Sequence, residues 1–190
     1  LPCGSCPDCL TARKKDWATR CDLEASLHRN NSFLTLTYDE LHLPSSIEDV
    51  KKDFSKFIKD LRNLGYAVRY FMCCERGEIT HRLHMHMILF GYFPEDAKIY
   101  SKYQGHTIFT SKEMDSLWNK GFYYLGYCDD GAGAYVAGYV GKKLGSDEGF
   151  IRMSLKPGIG ERWCLENLDM LTNQGIITLK NGHYARIPRS

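Results

Sequence analysis

Two histidines, His84 and His86, alternate with large apolar residues in the run Arg82-Leu83-His84-Met85-His86-Met87-Ile88-Leu89-Phe90-Gly91. Side chains of a strand alternate faces with period two. The spacing therefore predicts His84, His86, Ile88 and Phe90 on one side of a sheet and Leu83, Met85, Met87 and Leu89 on the other. The wholly apolar row suits a core. The imidazoles suit a metal ion, because neutral imidazole is the commonest metal ligand and a single strand holds both rigidly. A third ligand comes from Glu75. Residues 67–75 alternate as a second strand, and Arg76-Gly77-Glu78 reads as a hairpin turn that runs on irregularly to about Arg82. Antiparallel pairing then sets Glu75, at the end of one strand, close to His84 and His86, near the start of the other. Two imidazoles and one carboxylate with coordination positions left open are what divalent-metal catalysis requires. The competing reading is a pair of satisfied histidines at a strand end.

The run Ala134 to Leu144 repeats a tyrosine at positions 135 and 139. On a helix this spacing places both hydroxyls on one face, one turn apart, with Lys142 and Lys143 three and four residues beyond Tyr139. A tyrosine is a poor nucleophile at its free pKa of about 10, and a nearby cation or a metal-polarised target makes it useful. Alone, the pair reads as amphipathic packing. Beside a metal site, Tyr135, Tyr139, Lys142 and Lys143 become candidate catalytic residues.

Eight cysteines are present, three of them in Cys3-x-x-Cys6-x-x-Cys9 within a turn-rich start. Structural zinc takes four ligands and this knuckle supplies three. Cys21 is the nearest candidate for the fourth, with Cys74 and Cys128 open after folding. The alternative is three reduced thiols in a loop. No secretory signal precedes them, which argues for thiols and metal rather than a disulfide framework. Arg13, Lys14, Lys15 and Arg20 make the following segment locally basic, either a solvated face or a DNA contact.

The elements that must position these groups follow from composition and pattern. A chain of 190 residues forms one ordinary domain with a small appendage, and 43% hydrophobic with 25% charged residues is a globular balance. A net charge of +2 does not point to nucleic acid, so any basic surface is local. Without a long apolar run or signal-peptide pattern the chain reads as soluble and intracellular, and its opening on Leu1 reads as a fragment or processed form. A helix is predicted from Leu10 to about His28, capped by Asp8, with Trp17, Cys21, Ala25 and His28 at helical spacing. A strand over Phe33–Tyr38 turns Thr35 and Thr37 to one face, for phosphate binding or for pairing across the sheet. A helix capped by Ser45 or Ser46 runs to about Leu64 on the stripe Val50, Phe54, Phe57, Ile58 and Leu61, and Gly65 stops it. Residues 93–105 read as an irregular loop. A short helix capped by Thr110 or Ser111 follows, burying Met114, Leu117 and Trp118, and then a strand over 121–127. A helix around 161–171 and a hairpin at Asn181-Gly182 close the chain.

These runs carry a family likeness. Leu83-His84-Met85-His86 resembles the His-hydrophobic-His signature of HUH endonucleases, Phe33 to Tyr38 resembles that family's first motif, and Tyr135 to Lys143 its third in the two-tyrosine form. More narrowly, Pro2-Cys3-Gly4-Ser5-Cys6, Trp17 to Cys21, Cys73 to Glu78 and Lys156-Pro157-Gly158-Ile159-Gly160 are similar to replication initiators of gokushovirus-like Microviridae, over most of the chain. Many relatives carry Gly where Cys74 stands and Pro where Leu83 stands; neither position is a proposed ligand. The resemblance implies an α+β fold, a five-stranded antiparallel sheet flanked by helices. It implies Mg²⁺ or Mn²⁺ held by His84, His86 and Glu75, and a single-strand DNA nickase that forms a 5′-phosphotyrosine and a free 3′-OH. The implied partners are an origin single strand and host polymerase and helicase, in the cytoplasm of a bacterial host, with no membrane. Arg13, Lys14, Lys15, Thr35 and Thr37 are the expected DNA contacts, and Cys3, Cys6, Cys9 and Cys21 the expected structural Zn²⁺ set. The organisation expected is a Cys-rich knuckle and basic helix over 1–29, an endonuclease core over 30–150 and a C-terminal extension over 151–190. Two other readings compete: a non-catalytic single-strand-binding module with a zinc knuckle, stacking bases on aromatics such as Tyr123 and Tyr124, and a plasmid or transposon nickase.

Overall fold

The computed structural model describes residues 3, 6–77, 81–103, 105–128, 136–138, 149–179, 182 and 184–188. The first element, α1 (Pro7–Ser26), is capped by Cys6 with Pro7 in its first turn. Asp8 was the expected cap and instead lies inside that turn, because proline's fixed φ suits the first helical position and pushes the cap back to Cys6. Strand β1 (Asn31–Leu36) leads to α2 (Ile47–Asn63), whose cap Ser46 accepts a hydrogen bond from the Asp49 N–H. The whole predicted stripe of α2 is buried, and Gly65 ends the helix with φ +97°. Then come β2 (Arg69–Arg76), β3 (Leu83–Phe90), β4 (Lys98–Tyr103), β5 (His106–Thr110), α3 (Lys112–Leu117), β6 (Tyr123–Tyr127) and β7 (Phe150–Met153).

These seven strands form one sheet in the order β4-β5-β6-β1-β3-β2-β7, antiparallel throughout. The class is α+β as expected, but among the described residues the main sheet has seven strands rather than five. One of the additional strands, β4, lies where an irregular loop was expected: Lys98–Tyr103 is almost wholly exposed, so no buried row betrays its period. Another edge strand, β7, is four residues long and half-buried on both faces.

One face of the sheet carries the larger core. Leu83, Met85, Met87 and Leu89 pack there with Leu34, Leu36 and the stripe of α2, and Met114 and Trp118 close it beside α3. On the other face α1 covers β2 and β3: Cys21 packs with Phe71, Cys73, Ile88, Phe90 and Val136, and Trp17 stacks on Phe71 at 5.0 Å. The expected helix at 161–171 is broken at Asn167 into α4 (Glu161–Glu166) and α5 (Leu168–Gln174). The hairpin expected at Asn181-Gly182 is present as β8 (Ile176–Thr178) paired with β9 (Tyr184–Arg186).

The turn before α4 is tied to the core by a buried carboxylate. Glu24 of α1 accepts hydrogen bonds from Arg69 Nε at 2.5 Å, from the Gly160 N–H at 2.8 Å and from His28 Nε2 at 3.1 Å. Arg69 also donates to the Pro157 carbonyl at 2.6 Å. The Lys156-Pro157-Gly158-Ile159-Gly160 run is thus anchored through two side chains that distant strand and helix positions supply.

Candidate metal centre

The register of β2 on β3 sets Glu75 opposite His84 and Cys73 opposite His86. Directly paired residues share a face, so the carboxylate and both imidazoles stand together, opposite the apolar row. Glu75 Oε1 lies 3.5 Å from His84 Nε2 and 3.5 Å from His86 Nε2. The two rings meet edge to face with centroids 5.0 Å apart. One ligand atom from each residue falls within 4.8 Å of the others. For an octahedral ion bound at about 2.1 Å, neighbouring ligand atoms stand about 3.0 Å apart. The two observed separations of 3.5 Å are close to that spacing, and the donor set of two imidazoles and a carboxylate fits such an ion.

The far nitrogens decide whether the near ones are free to ligate. His84 Nδ1 donates to the Arg82 carbonyl at 3.1 Å, which leaves the lone pair on Nε2. His86 Nδ1 lies 2.9 Å from Thr35 Oγ1, and the same tautomer makes the threonine its acceptor. Burial pushes the His84 imidazole below its ordinary value; the neighbouring His86 works the same way, while Glu75 opposes both. His84 is therefore neutral, and ready to ligate, at neutral pH.

Of the two expected threonine contacts, Thr35 serves His86, and the Thr37 hydroxyl donates to the Phe122 carbonyl at 3.0 Å. Arg13, Lys14 and Lys15 are exposed on α1. Lys14 reaches the helical turn at 136–138, where a Cβ added to Gly138 would stand 3.3 Å from its Nζ. Val136 of that turn is buried against Cys21, Phe71 and Ile88, on the face that carries the histidines. Tyr135, Tyr139, Lys142 and Lys143 lie outside the described residues.

Cys3, Cys6 and Cys9 come together at the start of α1. Their sulfurs fall within 4.8 Å of one another, Cys3 Sγ to Cys9 Sγ is 3.9 Å, and the Cys6 N–H points to Cys3 Sγ at 3.3 Å. Cys21 does not join them. It sits twelve residues beyond Cys9 on the same helix, roughly 18 Å along its axis, and is buried in the core, where burial first and Cys128 second push its thiol up. Cys74 is buried in the core on the opposite face of the sheet.

Sequence reasoning missed the partners that orient the ligands. The Thr35–His86 bond joins residues 51 positions apart, and only the register of β1 on β3 reveals it. Glu24 and Arg69 gave no signal either, since each looks like an ordinary surface charge until the fold buries it.

With this geometry in view, the chain can be placed among known proteins. The family of the replication-associated protein ORF2/G2P matches residues 31–144. The chain belongs to that family, and the matched span holds Glu75, His84, His86 and the two-tyrosine run. The chain is 32% identical to replication-associated protein VP4 of Bdellovibrio phage phiMH2K, an alignment that covers all of the chain and 65% of the relative. It is 35% identical to replication-associated protein ORF4 of Chlamydia phage 1, over 76% of the chain and 38% of the relative. It is 28% identical to replication-associated protein ORF2 of Spiroplasma virus 4, over 94% of the chain and 61% of the relative. The chain thus spans less than two thirds of the length of each of these relatives. No solved structure matches it. No helix among the described residues is long and apolar enough to cross a membrane.

Proposed function

We propose that this chain is the DNA-nicking part of a phage replication initiator, an HUH-type endonuclease that cuts single-stranded origin DNA through a tyrosine. The observation that carries the reading is the convergence of Glu75, His84 and His86 on one sheet face, with both Nε2 atoms 3.5 Å from the Glu75 carboxylate. A bound Mg²⁺ or Mn²⁺ would supply Lewis-acid polarisation of the scissile phosphate. Glu75, His84 and His86 would hold that ion, and Thr35 and the Arg82 carbonyl would keep the imidazoles in the ligating tautomer. A hydroxyl of Tyr135 or Tyr139 attacks phosphorus in line, forming a 5′-phosphotyrosine bond as the bond to the 3′ oxygen breaks. Lys142 or Lys143 stabilises the phenolate or protonates the departing oxygen. The 3′-OH released is a primer for host polymerase acting with a host helicase in the bacterial cytoplasm, and the second tyrosine resolves the product. Exposed Arg13, Lys14 and Lys15 offer phosphate contacts, Lys14 beside the turn at 136–138.

Incubation of origin single strand with the chain and Mn²⁺ tests this. A covalent protein–DNA adduct is expected, lost in the Tyr135→Phe/Tyr139→Phe double variant and in His86→Ala. An adduct that survives in either variant refutes the reading. Retained DNA binding with no cleavage in Mn²⁺ would favour a non-catalytic single-strand-binding module instead.

For the thiol group we propose Zn²⁺. Tetrahedral zinc with Zn–S bonds of about 2.3 Å sets its sulfurs about 3.8 Å apart, close to the 3.9 Å between Cys3 and Cys9. Metal analysis of the purified chain should find one zinc, lost in Cys6→Ser. An unchanged metal content in that variant refutes the site.

A further inference from the structure

Beyond β1 the chain makes a turn that presents one apolar side chain to solvent. Leu41 is 90% exposed, more than any other large apolar residue among those described. A lone exposed leucine is ordinary on a loose loop. This one is held from both sides. Asp39 Oδ1 accepts from the Leu41 N–H and the His42 N–H, each at 3.0 Å, and lies 2.7 Å from His42 Nδ1. The Asp39 N–H donates to the Lys120 carbonyl at 2.9 Å. Gly121 lets the two backbones meet there, since a Cβ on it would stand 2.4 Å from the Thr37 carbonyl oxygen. On the other side Glu40 pairs with Arg82, whose carbonyl accepts from His84 Nδ1 at 3.1 Å. The turn is thus joined, through Arg82, to an imidazole of the metal centre. Both of its carboxylates are engaged, Asp39 within the turn and Glu40 on a guanidinium, which leaves an apolar tip.

We propose that Leu41 is a wedge that enters the base stack of the bound strand beside the metal centre and parts one step, so that the phosphate between those bases can turn toward Glu75, His84 and His86. The inference rests on the nicking reading for what happens at that phosphate and adds how the bases around it are handled. Three observations choose a base step as the occupant. A single side chain is too small for a protein interface, which takes about 20–30 residues a side, but it matches the apolar wedges, leucine among them, that proteins insert between bases. A wedge must not fold back as it enters, and the bonds to Asp39 and Lys120 fix the backbone that carries it. The Glu40–Arg82 pair gives the tip and the ligand strand β3 a common support.

The test separates unstacking from cleavage. Origin strands that each carry 2-aminopurine at one position are titrated with the full chain in EDTA, which withholds metal. Stacking quenches this base, so a parted step brightens. The parent should brighten one step. Leu41→Ser should lose that signal and Leu41→Met should keep it, while Asp39→Ala, which retains the leucine but frees its backbone, should lose most of it. Mn²⁺ titration of Leu41→Ser without DNA should match the parent, which separates the wedge from damage to the metal centre. With Mn²⁺ present, adduct formation by Leu41→Ser should slow about 10- to 100-fold on an intact strand, the range that parting one base step corresponds to, and recover when an abasic site replaces the brightened base. A Leu41→Ser or Asp39→Ala profile that matches the parent's overturns the proposal, as does a parent that brightens no position. So does a parent that dimerises through this turn, shown by a Leu41→Ser chain that is monomeric yet unstacks as before. A wedge signal from a chain that forms no covalent adduct leaves the wedge standing and removes only the nicking reading.

Discussion

Thr35→Val isolates the part of the metal centre that depends on a single proton. Thr35 is buried, and its Oγ1 lies 2.9 Å from His86 Nδ1. Valine is nearly the same shape but accepts nothing, so His86 has two courses. It keeps the proton on Nδ1 with no partner, at a cost of about 1–3 kcal/mol for a buried unsatisfied donor. Or it moves the proton to Nε2 and loses the lone pair that faces Glu75. Either course weakens Mn²⁺ binding by about 5- to 150-fold, which brackets the ~10–100-fold typical of partners that orient a metal-bound histidine. Thr35→Ser retains the acceptor and should bind as the parent does. Calorimetric titration with Mn²⁺ in the absence of DNA is the decisive assay, because it excludes any role of Thr35 as a phosphate contact. If Thr35→Val binds Mn²⁺ like the parent but loses affinity for single-stranded DNA, the hydroxyl serves the nucleic acid and the tautomer argument is wrong.

Further outcomes follow from other groups. Burial first, and His86 second, hold His84 below the ordinary imidazole value of 6.5. Its neutral, ligating form therefore persists below that pH, so its share of Mn²⁺ affinity should stay level from pH 8 to 6.5; an affinity already falling between pH 8 and 7 would contradict it. For the metal-free chain, only the unfolded state takes up this proton readily, so His84's share of stability is full above 6.5 and is lost as pH drops below it. Glu24→Ala leaves Arg69 and the Gly160 N–H without their buried acceptor and should destabilise the fold by about 3–5 kcal/mol in urea melts; a loss below about 1 kcal/mol would show the network to be solvated. Burial works to raise the Glu24 carboxyl, but hydrogen bonds from His28, Gly160 and Arg69 outweigh it and hold it below 4.5. Its contribution is present above that pH and is lost as pH falls further. Gly160→Ala should lower the melting temperature, since Gly160 has φ +75° and a Cβ there would stand 2.9 Å from the Arg20 carbonyl oxygen. The left-handed backbone alone costs about 1–2 kcal/mol for other residues, and an unchanged melting temperature would refute this account.

The convergence of Glu75, His84 and His86 was legible because the run is written in period two. Alternation put the histidines on one face, and a hairpin too short to do anything but reverse the chain put Glu75 beside them. The stripe of α2 was legible for the corresponding reason at period 3.6. What escaped was whatever lacks a buried row: β4 exposes nearly every side chain, so an edge strand looks like loop. Long-range polar partners escaped too. Thr35 reads as a pairing residue or a phosphate ligand until β1 is known to lie beside β3. Cys21 was grouped with Cys3, Cys6 and Cys9 on sequence proximity, yet a helix of 20 residues carries it away from them and into the core.

The apolar row therefore does more than hold the sheet to α2. Leu83, Met85, Met87 and Leu89 are each 0–3% exposed. Slipping β2 against β3 by one residue would set Glu75 opposite Leu83 or Met85 instead of His84, on the wrong face for the imidazoles. A slip that turned β3 over would expose the whole row. At roughly 1.5–3 kcal/mol for each large buried side chain, that loss is on the order of 6–12 kcal/mol, comparable with the entire stability of a domain. The packing of this row enforces the register, and with it the convergence of Glu75, His84 and His86. The geometry of the charged face is thus a by-product of packing on the apolar one. Residues on the opposite face thus decide whether Glu75, His84 and His86 stand together.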